Sequence, residues 1–133
     1  MYFEGVGHTW IVEKFRAWSD CGGDVGRRFS KDVLLTNVML SWVTGCINAS
    51  FWPYYARHHG PWPLSEERPV RVPTAYASFP REILHPPRAW AERVYAIRRW
   101  TVMPAGGHFA ALEEPEALAA DLRAFFRELR SAR

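Results

Sequence analysis

The chain has 133 residues, of which 48% are hydrophobic and 15% aromatic, so it has the size of one modest domain and enough apolar side chains for a core. Its net charge is +3, from 17 basic and 14 acidic residues, and the arginines are scattered along the chain. This charge pattern gives no reason to expect a nucleic-acid partner.

The spacing of the cysteines and the hydropathy of the chain narrow the possible classes of protein further. Cys21 and Cys46 form no C-x-x-C pair and no metal-ligand spacing with the histidines, so we expect two free thiols in a reducing compartment and no metal site. No apolar run has the length of a membrane span, and residues 1–8 lack the pattern of a signal peptide. We therefore expect a soluble, cytoplasmic protein.

The first half of the chain predicts helices. A short amphipathic helix is expected from Thr9, its N-cap, to Trp18. A second helix is expected to start after the cap residue Ser30 and to end at Gly45. The loop between the two is rich in Asp and Gly.

A third helical segment is predicted from Ile47 to His58, with Pro53 near a turn or kink. Residues 58–63 are rich in helix breakers and predict a link out of this region. After about residue 66 the predicted elements change from helices alone to strands and helices. We therefore predict two domains, residues 1–66 and residues 67–133.

The second half predicts alternating strands and helices. The expected elements are a strand from Val70 to Ser78, a helix from Arg88 to about Tyr95, a strand from Ile97 to Met103 and a last helix from Glu114. The apolar residues of the last helix repeat at helical spacing: Leu118, Leu122, Phe125 or Phe126, and Leu129. This order predicts two parallel strands joined by a right-handed crossover, which is an α/β fold.

The turn Gly106-Gly107-His108-Phe109 follows the second strand and contains the candidate catalytic base. Imidazole exchanges protons near neutral pH, and α/β folds gather their chemistry at the carboxyl ends of strands. An isolated histidine is more often structural than catalytic, so His108 needs support from its surroundings.

Three stretches of the chain resemble a known family. They are GGHFAALEEPEALAADLRAFF (Gly106 to Phe126), LLTNVMLSWVTG (Leu34 to Gly45) and FPREILHPPRAW (Phe79 to Trp90). These stretches are similar to α/β-hydrolases, and closely to epoxide hydrolases of the microsomal and juvenile-hormone type. The resemblance runs from about Trp10 to Arg130 and corresponds to the carboxyl-terminal half of such an enzyme.

The resemblance implies a partial α/β-hydrolase fold, with residues 1–66 as a portion of the helical cap and residues 67–133 as the last two strand-helix units of the sheet. It also implies an enzyme of detoxification that opens a small apolar epoxide with water to a vicinal diol through an alkyl-enzyme ester. Such a hydrolase, which acts on ether bonds, needs no metal or organic cofactor.

The resemblance assigns roles to individual residues. His108 would activate water, and Glu82, which lies 26 positions upstream and after the preceding strand, would orient His108. The alternative for Glu82 is a helix-start glutamate that faces water. Glu113 and Glu114 are predicted to be charges at the amino terminus of the last helix.

Tyr54, or less favourably Tyr55, would donate its phenolic hydrogen to the epoxide oxygen. The alternative is that both tyrosines only pack among their aromatic neighbours Phe51, Trp52 and Trp62.

The chain lacks a convincing nucleophile. Gly22-Gly23-Asp24-Val25-Gly26 matches the G-x-D-x-G pattern of an elbow, but the preceding residues have helical spacing rather than that of a buried strand. A His-Gly-x-Pro stretch for an oxyanion hole is also absent from the sequence.

We therefore expect the isolated chain to be inactive. Three alternatives stay open: a non-catalytic truncated remnant, a subunit completed by the missing amino-terminal half or by self-association, and another α/β-hydrolase such as a dehalogenase or an esterase.

Overall fold

The structure is a computed structural model that describes residues 2–60 and 66–131, with side chains from residue 9 onward. Its elements, in chain order, are α1 (Tyr2–Trp18), α2 (Lys31–Val43), α3 (Trp52–His59), β1 (Val70–Ser78), α4 (Arg88–Val94), β2 (Tyr95–Val102), α5 (Ala110–Glu113) and α6 (Pro115–Ser131). Short 3-10 turns lie at Val25–Arg27 and Ile47–Phe51.

Two compact units form. The helical unit comprises Met1–Ala17 and Cys21–Pro63, and the α/β unit comprises Trp18–Asp20 and Leu64–Arg133. The division into domains at residue 66 stays a prediction. Among the described residues no single helix could cross a membrane, while the bent pair Lys31–Val43 and Ile47–His59, with 108° between its helices, meets the length and composition criterion.

The first helix is longer than predicted. It starts at Tyr2, so the prediction that Thr9 is its N-cap is wrong. Glycine weakens a helix without ending it, and residues 2–8 contain no proline, so their glycines do not stop the helix. At the carboxyl end of the helix, Phe15 is buried and its ring packs edge-on against Phe29, with 4.9 Å between the centroids.

The second helix is confirmed at both ends. The Ser30 hydroxyl accepts the N–H of Val33 at 3.2 Å and caps α2. Two residues after the helix, Gly45 has a φ of +63°, a conformation that suits glycine and turns the chain away.

The third helical segment is confirmed, but it is divided into the 3-10 turn Ile47–Phe51 and α3. Pro53 lies in the first turn of α3, where no N–H donor is needed. The prediction that the link out of this region starts at His58 is wrong, because α3 continues to His59. Residues 61–63 of the predicted link, with Trp62, lie outside the described residues.

Parallel pairing of the two strands is confirmed. Thr74 pairs with Ile97, and Ser78 pairs with Val102, so both strands end at the same edge of the sheet. β1 has its predicted bounds, while β2 starts two residues earlier than predicted because α4 ends at Val94 and passes directly into the strand.

The buried face of the last helix is narrower than predicted. Phe125 is buried at 6% exposure, whereas Phe126 is 54% exposed, which decides between the two. Leu122 is 47% exposed, so its predicted place on the buried face is wrong. The inward position is taken by its neighbour Asp121, whose carboxylate bonds to side chains of β2.

Candidate active site

The turn after β2 needs both of its glycines. Gly106 has a φ of +98°, and a Cβ there would lie 2.8 Å from the Glu114 side chain and 2.9 Å from the Phe79 ring. A Cβ on Gly107 would lie 2.6 Å from the carbonyl oxygen of Trp18. Because a larger residue would clash with backbone or ring atoms, the glycines let the chain bring His108 close against its neighbours.

The turn after β2 lies beside the loop after β1. The Arg81 N–H donates to the Gly106 carbonyl at 3.0 Å, and Arg81 forms a parallel bridge with Gly107. Nδ1 of His108 lies 2.8 Å from Oε1 of Glu82, within hydrogen-bond distance. The structure therefore brings together the histidine and the glutamate that the sequence singled out.

The Glu82 carboxylate is held in turn by the backbone. Its Oε1 also accepts the N–H of Ile83 at 2.7 Å. When Nδ1 of His108 carries its proton and donates to this carboxylate, Nε2 is left with a lone pair that can accept a proton. This arrangement suits a general base whose tautomer is set by a carboxylate.

Tyr76 in β1 lies within the electrostatic influence of this pair. Partial burial, and then the negative charge of Glu82, raise the pKa of the Tyr76 phenol above its ordinary value. Its ring stacks on Trp100 of β2, with 4.2 Å between centroids and 24° between planes. The sequence analysis did not single out Tyr76.

A second set of residues that the sequence analysis missed lies around the turn. The His108 N–H donates to the Trp18 carbonyl at 2.9 Å, and the Trp18 ring packs edge-on against the imidazole at 5.0 Å. The prediction that Glu113 is a charge at the start of the last helix is wrong, because its carboxylate is buried and accepts backbone N–H groups from two segments. No local pattern marks the contact between Glu113 and Asp20, which lie 93 positions apart.

Tyr54 and Tyr55 belong to the helical unit, whereas the His108 and Glu82 pair belongs to the α/β unit. The Tyr54 ring packs edge-on against Trp10 at 5.5 Å and is 43% exposed, so part of it is open to solvent. Tyr55 stacks on His59 at 3.9 Å.

Asp24 has the geometry of a cap. Its carboxylate accepts the N–H of Gly26 at 3.0 Å and caps the 3-10 turn Val25–Arg27. The element before it is α1, so the prediction of a helix rather than a strand there is confirmed. Across the described ranges, no group of three or more His, Cys, Asp or Glu side chains is placed to hold a metal ion.

Known proteins provide an independent view of the same chain. No model of a protein family matches it. Epoxide hydrolase 1 of Sus scrofa is 43% identical over 121 residues, which cover 88% of this chain and 26% of that protein. Juvenile hormone epoxide hydrolase 2 of Ctenocephalides felis is 41% identical over 125 residues, which cover 86% of this chain and 26% of that protein.

Solved structures agree with these sequences. The juvenile hormone epoxide hydrolase of the silkworm Bombyx mori superposes with a TM-score of 0.81 at 30% identity, covering 98% of this chain and 35% of that one. The Aspergillus niger epoxide hydrolase superposes with a TM-score of 0.66 at 25% identity, covering 93% of this chain and 32% of that one.

The fold is a partial α/β-hydrolase fold. The strands are parallel, a carboxylate and a histidine follow neighbouring strands, and the similar solved structures have this fold. The chain is homologous to a part of the epoxide hydrolases, including the juvenile hormone epoxide hydrolases. It spans about a quarter to a third of the length of these relatives, so the expectation that it corresponds to half of such an enzyme is wrong.

Proposed function

We propose that this chain supplies the water-activating part of an epoxide hydrolase, with His108 as general base and Glu82 as the acid that orients it. The observation that carries the proposal is the 2.8 Å contact between His108 Nδ1 and Glu82 Oε1 at the carboxyl ends of neighbouring parallel strands. Two groups that are 26 residues apart meet there with the spacing of a catalytic pair.

In the proposed reaction an aspartate carboxylate, which this chain does not convincingly contain, attacks an epoxide carbon. The carbon–oxygen bond of the ring breaks, and an alkyl-enzyme ester forms. His108 Nε2 then removes a proton from water while the water oxygen attacks the ester carbonyl. Collapse of the tetrahedral intermediate breaks the acyl–oxygen bond, and the proton from His108 passes to the departing alkoxide. The carboxylic acid that remains gives its proton to the oxygen freed by ring opening, so that a diol leaves and the carboxylate is restored.

Tyr54 is the proposed donor for the first step. Ring opening places negative charge on the epoxide oxygen, and a phenolic O–H directed at that oxygen would stabilise the charge. Its ring is held edge-on by Trp10 and is partly exposed, which supports a side chain with a fixed direction and an accessible hydroxyl.

The proposal is tested by transplanting residues 10–130 into the Bombyx mori juvenile hormone epoxide hydrolase in place of the matching segment, with diol release from styrene oxide as the assay. We expect the chimera to turn over. His108→Ala should lower diol release by at least about 10²-fold and leave the ester detectable by mass spectrometry, because formation of the ester does not need the base. Tyr54→Phe should instead slow ester formation.

The control is His85→Ala, which removes an exposed histidine from the same unit and should leave diol release unchanged. An active chimera whose turnover survives His108→Ala would overturn the assignment. The isolated polypeptide is expected to make no diol. If it does, Asp24→Asn becomes the decisive variant, because Asp24 occupies the only elbow-like pattern in this sequence.

A further inference from the structure

Glu113 has a buried carboxylate for which the proposed mechanism has no use. Its residue exposure is 8%. Oε2 accepts the N–H of Asp20 at 2.7 Å, and Oε1 accepts the N–H of Phe109 at 3.1 Å. Burial of a carboxylate is costly unless its oxygens are hydrogen-bonded, and here each oxygen takes a backbone donor from a different segment.

Residues 18–20 also bind several backbone atoms of the turn that carries His108. The N–H of Gly106 donates to Oδ2 of Asp20 at 3.1 Å, and the N–H of His108 donates to the carbonyl of Trp18 at 2.9 Å. The N–H of Phe109 donates to Glu113. Three backbone donors around the turn are therefore bound: two to residues 18–20, and one to the carboxylate of Glu113, which also accepts the N–H of Asp20. The two carboxylates thus bond reciprocally: that of Asp20 to the turn, and that of Glu113 to the backbone of Asp20.

We propose that Glu113 is a positioning residue for His108, an inference that rests on the proposed function. A turn with two glycines has little stiffness of its own, so the direction of the imidazole depends on what holds the backbone on either side of it. Glu113 fixes the backbone on the far side of His108, because its carboxylate binds both Phe109 and Asp20. When the backbone shifts, the 2.8 Å bond from His108 to Glu82 lengthens and bends, and such bonds weaken steeply with misalignment.

Glutamine is an informative replacement at this site. The two N–H donors reach two different oxygens of Glu113, and a glutamine amide has only one oxygen. Glu113→Gln therefore satisfies one donor and turns an NH₂ group towards the other, while size and shape are kept. Glu116→Gln is the matched control, because it makes the same chemical change at an exposed glutamate three residues further on.

The readout is the tautomer of His108 in the full chain, measured by long-range ¹H–¹⁵N NMR correlations at a pH where the imidazole is neutral. In the unsubstituted chain we expect the proton on Nδ1, bonded to Glu82. Glu113→Gln should reduce the Nδ1–H population and raise that of Nε2–H, and Glu116→Gln should leave the tautomer unchanged. A folded Glu113→Gln variant whose His108 keeps its tautomer would overturn the inference.

Two further variants separate the possible failures. Glu82→Ala removes the acceptor itself, so an unchanged tautomer in that variant would overturn the pair and with it the proposed function. A tautomer that responds to Glu82→Ala but not to Glu113→Gln overturns only the positioning role. Asp20→Asn tests the reciprocal bond if Glu113→Gln does not fold. Loss of the fold in both variants would assign Glu113 a purely structural role and overturn the inference.

Discussion

The two units of the molecule use their polar side chains differently. In the helical unit, side-chain hydrogen bonds such as those from the Val33 N–H to Ser30 and from the Thr44 hydroxyl to the Leu40 carbonyl join close neighbours in sequence. In the α/β unit, Glu113 reaches Asp20 across 93 positions. Local bonds fix the ends of helices, whereas distant bonds fix one segment against another.

A catalytic pair needs the second kind of contact. The working geometry of a base and its carboxylate tolerates errors of only a fraction of an ångström, and loops after strands do not reach that precision by themselves. His108 and Glu82 lie in the unit that holds its loops with long-range bonds. Tyr54, whose proposed role asks only for a hydroxyl in the right direction, lies on a helix among aromatic rings.

The largest effect on stability should come from the core of the α/β unit. Phe125→Ala removes a buried ring and should lower the free energy of unfolding by about 3 kcal/mol, because a cavity remains where the ring was. The matched change Phe126→Ala, at an exposed neighbour, should cost less than about 1 kcal/mol. Urea unfolding measures both, and equal costs would contradict the described packing of α6.

The next largest effect should come from the polar contact between β2 and α6. Oδ1 of Asp121 accepts from Arg99 Nε and from the Thr101 hydroxyl, both at 2.7 Å. The bond to Asp121 is the main reason that the pKa of the Arg99 guanidinium is raised. Asp121→Ala leaves both donors without this acceptor and should cost about 2 kcal/mol.

The control for that change is Glu128→Ala, which removes the outer, exposed partner of Arg99 and should cost about 0.5 kcal/mol or less.

Hydrogen exchange should show the loss of protection from Asp121→Ala in the α/β unit. A similar loss in the helical unit would mean that the two units do not unfold independently, and the comparison between them would fail for stability.

The pairing of His108 with Glu82 was predictable because each residue follows a strand and parallel strands end at one edge. The contacts of Glu113 were not, since nothing in the local spacing indicates that Asp20 lies beside it. Phe125 and Phe126 could not be told apart because adjacent helix positions lie only about 100° apart, and both fall near the apolar stripe.

Caps were predictable where the signal was local. Ser30 precedes a helix and bonds to the third residue after it, a pattern that sequence carries in full. Thr9 carried a similar signal but lies inside α1, because helical structure continues through the residues before it. A cap residue therefore predicts the start of a helix only where the preceding residues cannot continue it.

The helical unit should show a smaller effect from its cap. Ser30→Ala removes the oxygen that accepts the Val33 N–H and should lower stability by about 1 kcal/mol. Ser41→Ala, in the middle of the same helix, should change stability by no more than about 0.5 kcal/mol, because alanine favours helix and replaces only a hydroxyl bonded to the helix backbone. Thermal unfolding followed by circular dichroism compares the two, and a larger cost at Ser41 would contradict the role of Ser30 as the cap.

The smallest effect should appear at high pH, where Tyr76 reports the charge of Glu82. Burial comes first and the Glu82 carboxylate second among the causes that raise the pKa of Tyr76 above 10.0. The folded state therefore holds the phenolic proton more tightly than the unfolded state. The stability from this difference is fully present below pH 10.0 and is lost as the pH rises through the folded pKa.

Absorbance of the phenolate measures this directly. Tyr76→Phe should remove an ionisation step that lies above that of an ordinary tyrosine. Glu82→Gln should lower the pKa of Tyr76 without returning it to the ordinary value, because burial remains when the charge is gone. If Glu82→Gln leaves that pKa unchanged, the carboxylate does not exert its charge on Tyr76, and the placement of Glu82 near Tyr76 would have to be revised.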